Sequence, residues 1–348
     1  MDKDQLAALI YTSGTTGKPK GVMHTHQSLY ANAKMQKDTN DIPSGVTGIS
    51  VLPLCHSYGI ASMNFGALIG GNRNVLLNSF DIDAIFSAID KYKGFVMGAV
   101  PTLYVYMLLH PDPGKYDLSS MKYWFSGSAP LTRNTYDSFK EKFGGEIIEG
   151  WGLTEAGANN SVNPLSGMKK VGSIGLPMKG TQMKIADFNG NDLPAGEEGE
   201  ILISGPMLMK GYWNQPEATA EVLKKGWLHT GDVGYQDEDG YFFITERKKD
   251  IIIKGGENIA PRQIEEVLYG HPKISEAAVV GIKDNVYGED IKAFVVLTPG
   301  ETADGAEIIE YCITRLKRFK SPREVTFLEA LPKNLVGKIL KNELRKMG

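Results

Sequence analysis

Residues 11–21 read YTSGTTGKPKG, a run of glycine, hydroxyl side chains and lysine. Gly14 and Gly17 let the backbone turn tightly and bring N–H groups against an anion. Thr12, Ser13, Thr15 and Thr16 add hydroxyl donors, and Lys18 and Lys20 add positive charge. The set makes a cradle for a polyphosphate. Its spacing is not the G-x-x-x-x-G-K-[ST] of a Walker loop. Gly/Ser/Thr runs are often flexible linkers. Here an apolar stretch on either side argues for a loop between two strands. Other clusters carry less. His24 and His26 stand at alternating spacing, but two ligands without a third or fourth make a poor zinc site, so both read as structural. Asp237, Asp239, Gly240 and Glu246 partly imitate a calcium loop. Tyr235 in the first ligand position rules calcium out. Cys55 and Cys312 are far apart, form no framework or metal spacing, and point to a reducing cytoplasmic compartment.

These loops need elements to hold them. Up to about residue 170 strands alternate with helices. A helix is expected over 25–37, and short apolar strands at 51–54 and 74–77. Residues 81–92 have helical spacing (Ile82, Ile85, Phe86, Ile89) with an Asp at the start. A strand at 95–100 follows, and Pro101 suits the first turn of the next helix. A strand at 123–125, a helix at 133–143 and a strand at 146–148 continue the alternation, which predicts a largely parallel α/β sheet. Beyond 170, short strands at 182–186, 199–204 and 241–244 predict a β-rich subdomain, with residues 237–240 as a hairpin turn. A third texture starts near 249, with a helix at 261–268, strands at 277–282 and 291–297, and an amphipathic helix at 305–318. The expected organisation is a large α/β domain over 1–248 and a small α+β domain over 249–348. The cluster Arg247, Lys248, Lys249 and Asp250 is the candidate hinge.

Composition removes several classes. Of 348 residues, 42% are hydrophobic and 23% charged, and 38 basic against 41 acidic residues leave a net charge of −3. That is no basic footprint for nucleic acid, and high hydrophobicity with low net charge argues against disorder. The longest uncharged stretch, residues 94–109, is too short to span a bilayer and is interrupted by Pro101. No secretory signal pattern opens the sequence, and no lipidation or peroxisomal address closes it.

The run at 11–21 resembles the phosphate loop of the adenylate-forming superfamily, which includes acyl-CoA synthetases, adenylation domains and firefly luciferase. Five later segments resemble further motifs of that family, in its order. Residues 126–131 (SGSAPL) resemble its adenine-side loop, and 149–155 (EGWGLTE) its aromatic-G-x-T-E motif. Residues 227–232 (WLHTGD) resemble its ribose-binding T-G-D, and 247–258 (RKKDIIIKGGEN) its hinge and following glycine loop. Residues 332–338 (PKNLVGK) resemble its C-terminal lysine motif. Any one match could be chance; six in order make chance negligible. The segments 205–213 (GPMLMKGYW) and 151–157 (WGLTEAG) look most like the medium- to long-chain fatty acyl branch.

The resemblance implies a two-step ligase. A carboxylate attacks the α-phosphate of ATP, giving acyl-AMP and pyrophosphate; the thiol of CoA then takes the acyl group and AMP departs. ATP contacts are implied for Thr12, Ser13, Gly14, Thr15, Thr16, Gly17, Lys18 and Lys20, for Gly127, Ser128 and Ala129, and for Glu149, Gly150, Trp151 and Gly152. Thr154, Asp232, Arg247 and Lys338 complete the set. Each residue type suits its role. Trp151 offers a flat face to adenine where the family more often has Tyr. Thr154 can donate to the α-phosphate, and Glu155 is a hard oxygen ligand for Mg²⁺ bridging phosphates. Asp232 can accept from both ribose hydroxyls, and Arg247 brings a planar, permanently charged fork. Lys338 would place charge on the carboxylate and α-phosphate during attack. His56 matches a position that gates the acyl and pantetheine tunnel. Lys20, His56, Thr154, Glu155 and Lys338 are therefore the expected catalytic residues. Lys249 matches the hinge pivot. Lys254, Gly255, Gly256 and Glu257 match the loop along which CoA passes.

Related enzymes carry a substantial segment before the phosphate loop, so the resemblance also implies a shortened large domain. An exposed sheet edge would then be covered by a homodimer partner or a separate chain. Implied co-substrates and cofactors are ATP, Mg²⁺ and CoA, with a small carboxylic acid as substrate. Nucleic acid and a transmembrane segment are not expected. Two alternatives stand: an adenylating enzyme that loads a separate carrier protein, and a nucleotide- or acyl-adenylate-binding protein without turnover.

Overall fold

The computed structural model describes residues 2–12, 19–187, 189–334 and 337–347. The expected phosphate-loop residues Ser13, Gly14, Thr15, Thr16, Gly17 and Lys18 lie outside the described residues. The chain divides into two compact units: Met1–Thr230 with Gly234–Phe243, and Gly231–Val233 with Ile244–Gly348.

The first unit is built on a seven-stranded sheet. Strands Arg73–Leu76, Thr47–Ser50, Val96–Ala99, Tyr123–Ser126 and Ile147–Trp151 lie side by side in that order, all parallel. Ser161–Val162 and Leu176–Pro177 extend the sheet antiparallel. Helices Ile82–Tyr92, Pro101–Leu109 and Arg133–Phe143 make the crossovers. Their ends follow from local chemistry. The Asp81 carboxylate accepts the Ala84 N–H and starts the first helix. Pro101 opens the second, where a missing N–H loses nothing. Thr132 caps the third, and Gly144 closes it at φ 70°. Between sheet and helices, Phe86, Ile89, Met97, Tyr104, Trp124, Phe139 and Ile147 are buried. Phe139 meets Tyr104 and Trp124 edge-on, each at 5.2 Å between ring centres. The Tyr104 hydroxyl donates to the Phe125 carbonyl at 2.6 Å, so its burial leaves no orphan donor.

One expected strand is displaced. Residues 51–54 lie outside the sheet, and the strand is Thr47–Ser50. Pro53 has no N–H to give a ladder, and the chain turns there into a π-helix, Tyr58–Phe65, that no periodicity announced.

The strands expected around the phosphate loop are present. Leu6–Thr12 pairs antiparallel with Lys20–Thr25, with Thr12 opposite Lys20. Gly211–Tyr212 adds a third strand, with Tyr212 opposite Val22. A five-stranded sheet follows, with Gln182–Ala186, Gly199–Ser204, Trp227–Gln236 and Leu223–Lys224 in order and Phe242–Arg247 paired to Trp227–Gln236. The turn between these last two strands is residues 237–240, with Gly240 at φ 85°.

The second unit has its own five-stranded sheet. Glu257–Ile259, Ile252–Lys254, Gly288–Leu297 and Ile274–Asp284 lie in order, and Glu324–Phe327 runs parallel to Gly288–Leu297. Helices Pro261–Tyr269 and Gly305–Leu316 cover a core of Ile252, Ile264, Leu268, Val279, Val295, Ile308 and Cys312.

Among the described residues, the tightest backbone approach in the first unit is at Gly152, where a Cβ would stand 1.6 Å from the Ala158 carbonyl oxygen. Gly152→Ala should therefore cost about 3 kcal/mol of stability. Gly114→Ala, whose Cβ would meet nothing nearer than 3.8 Å, should stay within about 0.5 kcal/mol. Equal shifts in thermal denaturation would contradict this packing.

Candidate active site

In open α/β sheets, ligands bind beyond the carboxyl ends of the strands. Several expected residues gather at that end. Tyr123–Ser126 leads into Gly127, Ser128 and Ala129, and its neighbour Ile147–Trp151 leads into Gly152, Thr154 and Glu155; Ser126 lies opposite Glu149. Gly127 has little room for a side chain, since its Cβ would lie 3.3 Å from both the Gly150 carbonyl and the Tyr58 ring. Ser128 adopts φ 69°, a left-handed conformation that disfavours a residue with a Cβ. Trp151 is buried. The glycines on either side of it answer to the backbone of residues 158–161: a Cβ at Gly150 would lie 3.1 Å from the Ser161 carbonyl. Glu149 Oε2 accepts the Gly172 N–H at 2.7 Å, so this carboxylate anchors the neighbouring loop.

Thr154 and Glu155 sit on a single 3-10 turn, Thr154–Ala156. Four groups from elsewhere hold it. His24 Nε2 donates to the Thr154 carbonyl at 2.7 Å, and Ser57 Oγ lies 3.0 Å from Thr154 Oγ1. The Met209 N–H donates to the Glu155 carbonyl at 2.8 Å, and the Tyr212 hydroxyl donates to Glu155 Oε1 at 2.8 Å. A carbonyl can only accept, so His24 carries its proton on Nε2 and accepts from the Ser28 hydroxyl at Nδ1, 3.1 Å away. Burial lowers the His24 pKa, and the contact with the Thr154 carbonyl only partly opposes that. His24 is therefore the neutral support of Thr154, a role that histidine spacing could not reveal. Lys20 Nζ stands 4.8 Å over the Tyr212 ring. His56 is half-buried before the π-helix, and its Nδ1 accepts the Tyr58 N–H at 3.2 Å.

Ser57, Met209 and Tyr212 are functional supports that the sequence reading passed over. Their partners explain why: Tyr212 and Glu155 are 57 residues apart, and Ser57 and Thr154 are 97 apart. Mg²⁺ typically takes one or two carboxylates and completes its shell with phosphate oxygens and water. Among the described residues, no group of three or more His, Cys, Asp or Glu could hold a metal alone. Glu155, with one oxygen held by Tyr212, fits a metal that arrives with phosphates.

In the second unit, Asp232 is buried and its Oδ1 meets Arg247 Nε at 2.9 Å. The Lys248 N–H donates to the Gly231 carbonyl at 2.9 Å. Lys338 lies on a turn tied by its N–H to Asn334 Oδ1 at 2.9 Å. Its pKa is pushed down to about 7, foremost by the Arg247 charge, then by burial, with Lys249 adding to the shift and Asp232 and Asp250 opposing it. Asp232, Arg247, Lys249 and Lys338 thus come together within one unit. Burial also lowers the Lys249 pKa. Lys254, expected in the loop along which CoA passes, closes the strand Ile252–Lys254. It is buried at a strand end, with Nζ 2.6 Å from Asp290 Oδ1 and lying over the Phe319 ring. Gly255, Gly256 and Glu257 are exposed, with the two glycines at φ 58° and 86°.

The folded pKa of Lys338 lies below the ordinary lysine value, so the folded state binds fewer protons between about 7 and 10.5. Its contribution to stability rises with pH across that window. Near pH 7 roughly half of Lys338 should be neutral, against roughly one in several thousand for an ordinary lysine. In pulsed acylation at pH 7.5, Lys338 should label first, and Arg247→Ala should slow its labelling about tenfold. Labelling of Lys338 no faster than that of exposed lysines would contradict the crowding described.

Residues 1–213 match the AMP-binding enzyme family, and residues 263–338 match the AMP-binding enzyme C-terminal domain. The chain is 46% identical over 345 residues to a long-chain-fatty-acid–CoA ligase of Bacillus subtilis (strain 168), covering 97% of this chain and 61% of that protein. It is 40% identical over 344 residues to a feruloyl-CoA synthase of Amycolatopsis sp, covering 99% and 70%. Among solved structures, ATP-bound MatB from Rhodopseudomonas palustris matches with a TM-score of 0.94 at 34% identity, over 100% of this chain and 69% of that one. The o-succinylbenzoate CoA synthetase of Bacillus subtilis, in complex with its acyl-adenylate intermediate OSB-AMP, matches with a TM-score of 0.88 at 33% identity, over 99% and 70%. The chain thus spans about three fifths of the length of the Bacillus subtilis ligase. With six motifs in order, a parallel sheet bearing two of them, and matches over nearly its whole length, the chain belongs to the AMP-binding enzyme family and has the adenylate-forming fold.

Proposed function

We propose that the chain carries out ATP-dependent activation of a carboxylic acid to acyl-AMP, followed by transfer of the acyl group to CoA. The observation that carries this reading is the fixed Thr154–Glu155 turn at the carboxyl end of the parallel sheet, with Lys20 beside it through Tyr212. In the first step a carboxylate oxygen bonds to the α-phosphorus of ATP and pyrophosphate leaves. In the second, the CoA sulfur bonds to the acyl carbon, the bond from that carbon to the phosphate oxygen breaks, and AMP leaves.

The residues divide the work. The Ser57 and Thr154 hydroxyls lie 3.0 Å apart, and with Ser57 as the donor the Thr154 proton is left for an α-phosphate oxygen. Glu155 would hold Mg²⁺, which when bound neutralises phosphate charge. Lys20 faces the same phosphates. Asp232 takes the ribose, with Arg247 aligned beside it. Lys338 stabilises charge during attack: an arriving phosphate raises its proton affinity and secures the ammonium form. Lys249 serves as the pivot between a nucleotide-binding body and a lid, and the exposed Gly255–Gly256 turn gives pantetheine a bare backbone to pass. A medium- or long-chain fatty acid is the substrate class we favour, supported by the 46% identity to a fatty-acid–CoA ligase.

Pyrophosphate exchange with a panel of aliphatic and aryl acids tests the reading. Exchange should be acid-dependent and strongest with the aliphatic acids. Lys338→Ala should lose about 10²-fold or more in exchange yet still convert supplied acyl-AMP and CoA to thioester. ATP binding without exchange for any acid would replace this reading with a binding protein.

A further inference from the structure

Lys20 and Glu155 both meet Tyr212, one at the ring and one at the hydroxyl, an arrangement that the chemistry above does not account for. Tyr212 is buried on the two-residue strand Gly211–Tyr212, which is paired to Lys20–Thr25. Its N–H donates to Thr219 Oγ1 at 2.9 Å, which fixes the strand to the helix Pro216–Val222. The hydroxyl reaches Glu155 Oε1 at 2.8 Å, while Lys20 Nζ lies 4.8 Å from the ring centre. Burial, with the Glu155 charge and hydrogen bond adding to it, pushes the Tyr212 pKa up, so the phenol stays a donor.

A lysine and a glutamate that share one side chain as a neighbour have an alternative when brought together, which is to pair. At about 4 Å such a pair gains roughly 1 kcal/mol in water and roughly 4 kcal/mol at an effective dielectric of about 20. Pairing would cancel the cation that phosphates need and the carboxylate that a metal needs. The ring supplies a different partner for each charge: its face for the ammonium and its hydroxyl for the carboxylate.

We propose that Tyr212 is a positioning residue that keeps Lys20 and Glu155 from neutralising each other and presents Glu155 Oε2 to the divalent cation that accompanies the nucleotide. This rests on the proposed function and deepens it.

The test uses the full chain without acid or CoA, so no turnover occurs. ATP affinity is measured calorimetrically in EDTA, and Mn²⁺ affinity of the protein–ATP complex by electron paramagnetic resonance. Tyr212→Phe keeps the ring and removes the hydroxyl. It should weaken Mn²⁺ binding about tenfold and leave metal-free ATP affinity unchanged. Tyr212→Leu removes both contacts and should weaken metal-free ATP binding as well, because Lys20 then pairs with Glu155. Adding Glu155→Gln to Tyr212→Leu should restore metal-free ATP affinity, a recovery that a merely structural tyrosine would not give. Equal effects of Tyr212→Phe on both affinities, no effect on either, or no recovery in the folded double variant would overturn the role. Should leucine unfold the chain, Tyr212→Phe alone decides. Absence of ATP binding by the unaltered chain would instead overturn the functional reading beneath it.

Discussion

A threonine hydroxyl and a glutamate carboxylate have to be aimed from a turn too short to aim itself. The Thr154–Ala156 turn has few backbone bonds of its own, chiefly Ala156 N–H to the Leu153 carbonyl at 3.0 Å and Gly157 N–H to the Thr154 carbonyl at 3.2 Å. Its geometry is imposed by His24, Ser57, Met209 and Tyr212, which come from three separate segments. A neutral hydrogen bond of this kind is worth about 1 kcal/mol net and one to a charged group about 1.5–3 kcal/mol, so the set outweighs what the turn can do alone. The strand Lys20–Thr25 and the small strand Gly211–Tyr212 paired to it carry two of these supports, His24 and Tyr212.

The second unit follows the opposite logic. Arg247, Lys249 and Lys338 crowd together, with Asp232 and Asp250 opposing them in the field at Lys338. Asp250 is itself bound to Arg345 at 2.5 Å. Gathering like charges under partial burial disfavours the ammonium and so disfavours the folded state at low pH. An anion among them relieves that strain. Such an arrangement is what a phosphate-handling site requires, and it is poor design for a purely structural turn.

Much of the fold was legible because its elements carry local signals. The Asp81 cap, Pro101 and the Thr132 to Gly144 frame set four boundaries of three helices from their own residues. Strands 182–186 and 199–204 matched their expected limits, bounded by turn residues. The motif glycines were also legible, and the structure supplies their reason: Gly127 and Gly152 sit where backbone approaches backbone or ring. What escaped depends on distant partners. The π-helix Tyr58–Phe65 has no periodicity to read. The ion pair of Lys254 with Asp290 depends on the sheet bringing two distant segments together. His24 reads as structural, which it is, but nothing in its neighbourhood names Thr154 as the group it supports.

The account predicts which bonds break, and oxygen tracing reads that directly. With an ¹⁸O-labelled carboxylic acid, ATP and CoA, attack on the α-phosphate followed by thiolysis at the acyl carbon leaves one labelled oxygen in the phosphate of AMP. Mass spectrometry of the products should find one ¹⁸O per AMP and none in pyrophosphate. Label in a released inorganic phosphate, or AMP formed without any label, would contradict activation of the acid through an acyl-adenylate.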